Sequence, residues 1–415
     1  MQDDEGQPAN GAGAAAAPPK GRRGDPDRVR RSHAQTRTTL RLALAFIAAA
    51  VVAAPLGGSR WLLLHLFLAG GVVLAISAVT LMLTVTWSAA PAPADRWVAV
   101  QRWSVAAGAA GLAIGRAVEV AHWVLASAGT VYLVGLVLLG SLLVATIRRG
   151  VEGRFDIAVV AYVAALAAGV AGVALGVAMV SDTVSLARRN AHVTANLLGL
   201  VGLVVAGTMP FFAATVGRSK MSPLARPQRL GAVTCWMVIA LAVTLAGLGA
   251  GEHGLAAIAL SGYALGIAAV LGLLPRPTRR QWEWAGPRLV ALWTGGSWWA
   301  IGVVATAYDL ASDERLVFAG RWAVVVVLGG YAQILWGSLS YLMPMLRGGG
   351  PARLSEGFAT TRSWLSLVAA NAAALAVAIG LPPPVVAVAV GVWALDAAAR
   401  AARVGTARAS RPDAA

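Results

Sequence analysis

Four histidines, His65, His122, His192 and His253, are the side chains of this chain best suited to chemistry. A neutral imidazole ligates haem iron or copper through one nitrogen, while the hydrogen bond made by the other nitrogen fixes the tautomer. Each of the four stands at or near the end of a long apolar run. His65 lies about one turn inside such a run, in Trp61-Leu-Leu-Leu-His65-Leu, and His192 follows Arg189-Asn190-Ala191 at the start of another. These two are the candidate ligands of a haem or metal. His122 opens an apolar run and His253 sits in Gly251-Glu252-His253-Gly254. The plainer reading for any of the four is an interfacial side chain whose polar tip reaches water.

Three neutral polar residues lie deeper: Asn196, Gln333 and Asn371. Such groups either glue helices together within lipid or line a polar pathway. Glu119 and Asp309 fall near helix ends, and Asp396 is spaced for an i,i+4 ion pair with Arg400. No chain of carboxylates suited to a proton-driven pump is present. The single cysteine, Cys235, excludes an intrachain disulfide framework, a cysteine-based zinc site and an iron–sulfur cluster within one chain. No phosphate-binding P-loop, GxSxG or HExxH pattern occurs, so nothing in this chain alone marks an enzyme.

The elements that must carry these residues are membrane spans. A bilayer core about 30 Å thick takes about 20 apolar residues per helix, and helices satisfy their own backbone groups in lipid. Twelve runs fit, at 42–57, 61–87, 97–114, 121–147, 156–180, 193–216, 230–250, 254–274, 288–308, 321–346, 363–381 and 384–400. With both termini cytoplasmic, all but six of the 34 lysines and arginines fall on the inner side. The six exceptions are Arg60, Arg116, Arg188, Arg189, Arg315 and Arg321. The fold expected is therefore an all-α polytopic membrane protein of about twelve transmembrane helices in the plasma membrane.

The net charge of +16 then reflects basic inner connectors facing anionic lipid, and it implies no nucleic-acid partner. The chain divides into a disordered basic tail at 1–39, a helical bundle at 40–400 and a flexible tail at 401–415. The 47 glycines suit close helix packing, with Gly111-x-x-x-Gly115 and Gly172-x-x-x-Gly176 as specific instances. Trp61, Trp87, Trp97, Trp123, Trp282, Trp284, Trp298 and Trp299 read as interfacial belts. Pro210 and Gly329-Gly330 are candidate breaks within spans, and no internal repeat is evident.

The segment His192-Val-Thr194-Ala-Asn196-Leu197-Leu198-Gly199-Leu200-Val201-Gly202 resembles the His-x-His-x-Asn-Leu-Leu-Gly-Trp-Val-Gly segment of multi-pass membrane modules in actinobacterial copper oxidases. Those modules precede a copper nitrite reductase or multicopper oxidase domain. Gly207-Thr208-Met209-Pro210, the stretch from Gln333 to Pro344 with Gly348-Gly349-Gly350-Pro351-Ala352, and Trp61 to Gly70 are similar to further parts of that module. The layout also resembles the catalytic subunit of haem–copper oxidases. The resemblance implies a stand-alone membrane module working with a separately encoded extracytoplasmic copper protein, with haem b on His65 and His192. Thr194 replaces the second histidine of the segment, and no histidine occurs in spans seven or ten, so a binuclear oxygen-reducing centre cannot be assembled. A non-catalytic assembly protein and a small-solute transporter are the alternative readings.

Overall fold

A computed structural model describes residues 26–181, 184–312 and 316–406. The regular elements among them are all helical. They are α1 (Pro26–Ala53), α2 (Arg60–Trp87), α3 (Asp95–Ala117), α4 (His122–Ile147), α5 (Asp156–Ser181), α6 (Leu186–Gly217) and α7 (Pro227–Ala250). Then follow α8 (His253–Gly272), a short α9 (Arg279–Ala285), α10 (Pro287–Ala311), α11 (Arg321–Arg347), a short α12 (Gly350–Thr360), α13 (Trp364–Ala378) and α14 (Pro383–Thr406). The starts follow local chemistry. Ser59, Ser185 and Ser363 accept backbone N–H groups of the first turns of α2, α6 and α13, and Pro227 and Pro287 open α7 and α10 where no N–H is needed.

Each of the twelve expected intervals holds a helix. Among the described residues, ten helices are long and apolar enough to cross a membrane. The remaining two intervals hold α3, which carries Asp95, Arg96, Arg102 and Arg116, and α13, which has only 15 residues. The exterior is as apolar as the interior. Ile239, Ile258, Leu265, Val304 and Leu395 are all more than half exposed, an arrangement that water would not tolerate and lipid does. The molecule is an integral membrane helical protein.

The first helix begins at Pro26, so residues 26–39 are helical and do not belong to a disordered tail. Sequence composition hides this because the buried face of that segment is polar: Ser32, Gln35, Thr36 and Thr39 are all buried. Gln35 donates to the Pro93 carbonyl at 2.9 Å and to Asp95 at 2.6 Å, and Arg28 donates to the Val85 carbonyl. Helix α14 likewise continues to Thr406, into the segment read as a tail. The rest of both expected tails lies outside the described residues.

Three spans change character partway. In α2, α6 and α11 the α-helix widens into a π-helical segment of eight residues, at His65–Val72, Ala195–Gly202 and Val325–Ala332. The segments start at equal intervals along the chain. The helices that contain them end at Trp87, Gly217 and Arg347, again at equal intervals. Helices α1, α5 and α10 start at 26, 156 and 287, and α4, α8 and α14 start at 122, 253 and 383. The bundle is thus three units of four long helices: α1–α4, α5–α8, and α10, α11, α13 and α14. An internal repeat exists that few residue identities mark: His122 matches His253 and Tyr132 matches Tyr263, but His65 matches Ala195 and Val325.

A π turn inserts a residue and disturbs the regular carbonyl-to-amide ladder. In hydrocarbon a carbonyl left without a partner is costly. Tyrosines answer this. Tyr132 on α4 donates its hydroxyl to the Ala69 carbonyl at 2.9 Å, and Tyr263 on α8 donates to the Leu198 carbonyl at 2.6 Å. Tyr331 in the third π segment donates to the Leu197 carbonyl at 2.7 Å. Tyr132 and Tyr263 hold matching places in units one and two. The matching place in unit three is taken by the buried Trp393, which packs beside Leu328 and Ala332.

The candidate breaks are not breaks. Pro210 lies inside the continuous α6, and Gly329-Gly330 lies within the π segment of α11. Gly111 and Gly115 do give close approach. A Cβ at Gly111 would lie 2.9 Å from the Ala128 Cβ, and one at Gly115 would lie 2.9 Å from Leu125 and Val120 side-chain atoms. Trp299 departs from the belt reading. It is fully buried, between Tyr263 and Tyr331 at ring distances of 6.1 and 5.7 Å. Midway along α10, it is a core residue.

Candidate functional site

His65 is the first residue of the π segment of α2. Its Nδ1 lies 2.7 Å from the Trp61 carbonyl oxygen one turn earlier, and the Trp61 indole stacks on the imidazole at 3.9 Å with planes 21° apart. A carbonyl oxygen only accepts, so Nδ1 carries the proton and Nε2 presents its lone pair. The ring is therefore fixed by its own helix on two counts.

His192 lies in α6, just before the π segment that starts at Ala195. Its Nδ1 is 2.7 Å from the Gly172 carbonyl oxygen on α5, which again leaves Nε2 as the free nitrogen. The glycine pair read as a packing motif has a sharper use here. A Cβ at Gly176 would come within 2.8 Å of the His192 Cε1, and one at Gly172 within 2.5 Å of the Asn196 Nδ2. These two positions form a flat shelf for the imidazole and its neighbour. Asn196 donates to the His192 carbonyl at 2.8 Å, stiffening the turn that carries the ligand.

The two histidines come from different units of the repeat, yet their ring centres are 6.5 Å apart and their planes differ by only 11°. Both are half-buried. With metal–nitrogen bonds of about 2 Å, two imidazoles facing one ion place their ring centres roughly 6 Å apart. The observed separation is close to that figure. No group of three or more His, Cys, Asp or Glu side chains suited to a metal occurs among the described residues. A zinc or type-2 copper site wants three or four protein ligands. A haem brings four nitrogens of its own, so its iron asks the protein for no more than two imidazoles.

The surrounding helix ends are tied together. Arg60, at the start of α2, donates to the Gly320 carbonyl at 3.3 Å. Arg189 donates to the Val317 carbonyl at 2.9 Å, and the Asn190 side-chain oxygen accepts from the Val317 N–H at 3.2 Å. The chain preceding α11 thus straps the beginnings of α2 and α6 close to the histidine pair. Arg60, Arg189 and Arg321 were three of the exceptions to the basic-side count, and two of them have this structural task.

The other candidates do not join the pair. His122 is exposed at the first turn of α4, and His253 is half-buried at the first turn of α8. Asn371 accepts from the Trp298 indole N–H at 2.9 Å and donates to the Leu367 carbonyl at 2.8 Å, joining α13 to α10. Gln333 donates to the Thr294 hydroxyl, joining α11 to α10. It lines a small cavity with Arg288, Ser340, Ser363 and Ser366. Both act as interhelical glue, and only Asn196 belongs to the histidine site. Asp396 makes its expected bond to Arg400 at 3.0 Å and also accepts from Ser363 and Ser366.

Sequence reasoning missed Tyr132, Tyr263 and Tyr331, whose hydroxyls bond carbonyls of the first and second π segments. Each sits within an otherwise apolar span, and a lone hydroxyl there needs a partner. That need was the available signal. No protein-family model matches this chain, and no curated protein matches it.

Proposed function

We propose that this protein is the membrane part of a redox system, in which His65 and His192 hold a haem b near the starts of α2 and α6. The observation that carries the reading is the meeting of two Nδ1-anchored imidazoles at 6.5 Å with nearly parallel planes. A bound haem would supply one-electron transfer. The chain's own contribution is to fix both rings before the cofactor arrives and to hold their helix ends with the Val317–Gly320 strap.

With both termini cytoplasmic and all twelve intervals spanning the plasma membrane, the pair lies in the outer part of the bundle. That depth suits electron exchange with a separately encoded extracytoplasmic copper protein of the nitrite reductase or multicopper oxidase kind, as the sequence resemblance implies. A test is the absorption spectrum of protein purified from haem-replete cells. A Soret band that is lost in His65→Ala and in His192→Ala supports the reading, and a colourless wild-type preparation overturns it.

A non-catalytic assembly role is favoured by one observation. Thr194 stands where the resembled segment has its second histidine, is fully buried, and its hydroxyl has no hydrogen-bond partner. Unchanged partner recovery in the His65→Ala, His192→Ala double variant would support that role.

A further inference from the structure

A second site lies at the opposite, arginine-rich end of the bundle. A cavity of about 810 Å³ opens between the end of α2, the start of α5, the end of α6 and the start of α7. That these ends share one side is fixed by contacts: the Val151 N–H donates to the Ser88 carbonyl at 2.8 Å, joining the connectors after α2 and α4. The cavity wall is a closed triangle of rings. Trp87 and Phe155 are 5.2 Å apart, Trp87 and Phe211 5.4 Å, and Phe155 and Phe211 5.3 Å. Such a cluster is rigid and apolar.

Around the rings stand four cations, Arg154, Arg218, Lys220 and Arg226, and no carboxylate is among the lining residues. Like charges converging on one cavity repel each other unless an anion enters. Arg218 is the most constrained of the four. It follows α6 with φ +49°, a left-handed conformation that costs a residue bearing a Cβ. Its N–H bonds the Ala214 and Thr215 carbonyls, and its own carbonyl accepts from Gln281 at 3.1 Å. Its guanidinium lies 3.9 Å from the Trp284 ring centre. Trp284 is not among the residues lining the cavity, so this guanidinium is engaged beside it, and Arg154, Lys220 and Arg226 are the cations left to meet a ligand.

We propose that this cavity is a binding site for a phosphate carried on an apolar body, and that its occupant is the head group of an anionic phospholipid. The phosphate sits among Arg154, Lys220 and Arg226, with the glycerol and first methylenes against the Trp87–Phe155–Phe211 wall. Two features favour a lipid over a soluble phosphate compound. The rings provide apolar surface that a free phosphate would leave dry, and the site lies at the ends of membrane-length helices, where lipid head groups are found.

The test uses the delipidated full-length protein in detergent, with native mass spectrometry and thermal unfolding under titration. The probes are phosphatidylglycerol, phosphatidylcholine and inorganic phosphate. Phosphatidylglycerol is expected to bind in a defined stoichiometry and raise the melting temperature, with phosphatidylcholine at least tenfold weaker. The Arg154→Gln, Arg226→Gln double variant should weaken phosphatidylglycerol binding at least tenfold, and Lys220→Gln, at an exposed side chain, should weaken it several-fold if the double variant does not fold. Arg148→Gln with Arg149→Gln, at the same end but outside the cavity, should change nothing. Saturable phosphate binding that is lost in the cavity variants, without lipid preference, supports the site but overturns the lipid as its occupant. Equal loss in cavity and control variants, or no preference for either anion, overturns the proposal.

Discussion

The imidazole of His192 rests on the backbone of Gly176, at a distance that leaves no room for a methyl group between them. Ring position on α6 is thereby set by α5. Gly176→Ala should push the imidazole off its bond to the Gly172 carbonyl. Overpacking of this kind costs about 1–3 kcal/mol. The expected outcome is a modest loss of thermal stability with a disproportionate weakening of any haem spectrum. Comparing the Soret intensity of Gly176→Ala with that of Gly254→Ala, at an open position on α8, checks it.

Gly202 lies where three aromatic side chains meet. A Cβ there would be 2.5 Å from the Tyr263 hydroxyl, 3.0 Å from Trp299 and 3.2 Å from the Tyr331 hydroxyl. Gly202→Ala should displace both hydroxyls from the carbonyls they serve and destabilise by roughly 2–4 kcal/mol, combining overpacking with lost hydrogen bonds. Gly391→Ala on α14, with nothing within 4 Å, should be neutral or stabilising by roughly 0.5–1 kcal/mol. Unfolding in mild detergent distinguishes the two.

Tyr263→Phe and Tyr132→Phe each remove one hydroxyl and leave a π-segment carbonyl without its donor. The expected cost is about 1–3 kcal/mol apiece. Tyr308→Phe, at an exposed side chain, should cost nothing measurable. Amide exchange at residues 66–73 should rise in Tyr132→Phe and stay unchanged in Tyr263→Phe, the reverse holding at residues 195–202.

Asp396 gathers three partners. It accepts from Ser363 and Ser366 on the chain entering α13 and pairs with Arg400 on its own helix, and Arg400 also donates to the Thr360 carbonyl at 2.8 Å. Asp396→Asn should loosen the α13–α14 hairpin at a cost of about 1.5–3 kcal/mol, the range for hydrogen bonds to charged groups. Limited proteolysis between Thr360 and Trp364 should accelerate, while Arg279→Gln, which removes an exposed i,i+4 pair with Glu283, should leave the rate unchanged.

Much of this architecture was legible because apolar length is a strong signal. The spans around Val73, Leu139 and Leu241 could hardly be anything else. The Asp396–Arg400 pair followed from spacing alone. Residues 26–39 were not legible, since Ser32, Gln35 and Thr36 look solvated until the connector at Pro93–Asp95 is seen to receive Gln35. Trp299 was misplaced because an indole near a paired indole, Trp298, resembles a belt, and only its two tyrosine neighbours reveal a core role. His65 and His192 could be singled out by their depth in apolar runs. Their proximity could not be, because it depends on how α2 and α6, from different units, come together.

The repeat has a consequence for how the chain could be rewired. The N-terminal half of α1 and the end of α14 lie at the same end of the bundle as the connector between α4 and α5, as the bonds from Arg28 to Val85, Arg37 to Leu346, Arg400 to Thr360 and Val151 to Ser88 require. Opening the chain at Gly150–Gly153 and splicing its old extremities would therefore cut no unit. The permuted polypeptide would thread the modules in the order two, three, one and still bring the two imidazoles together.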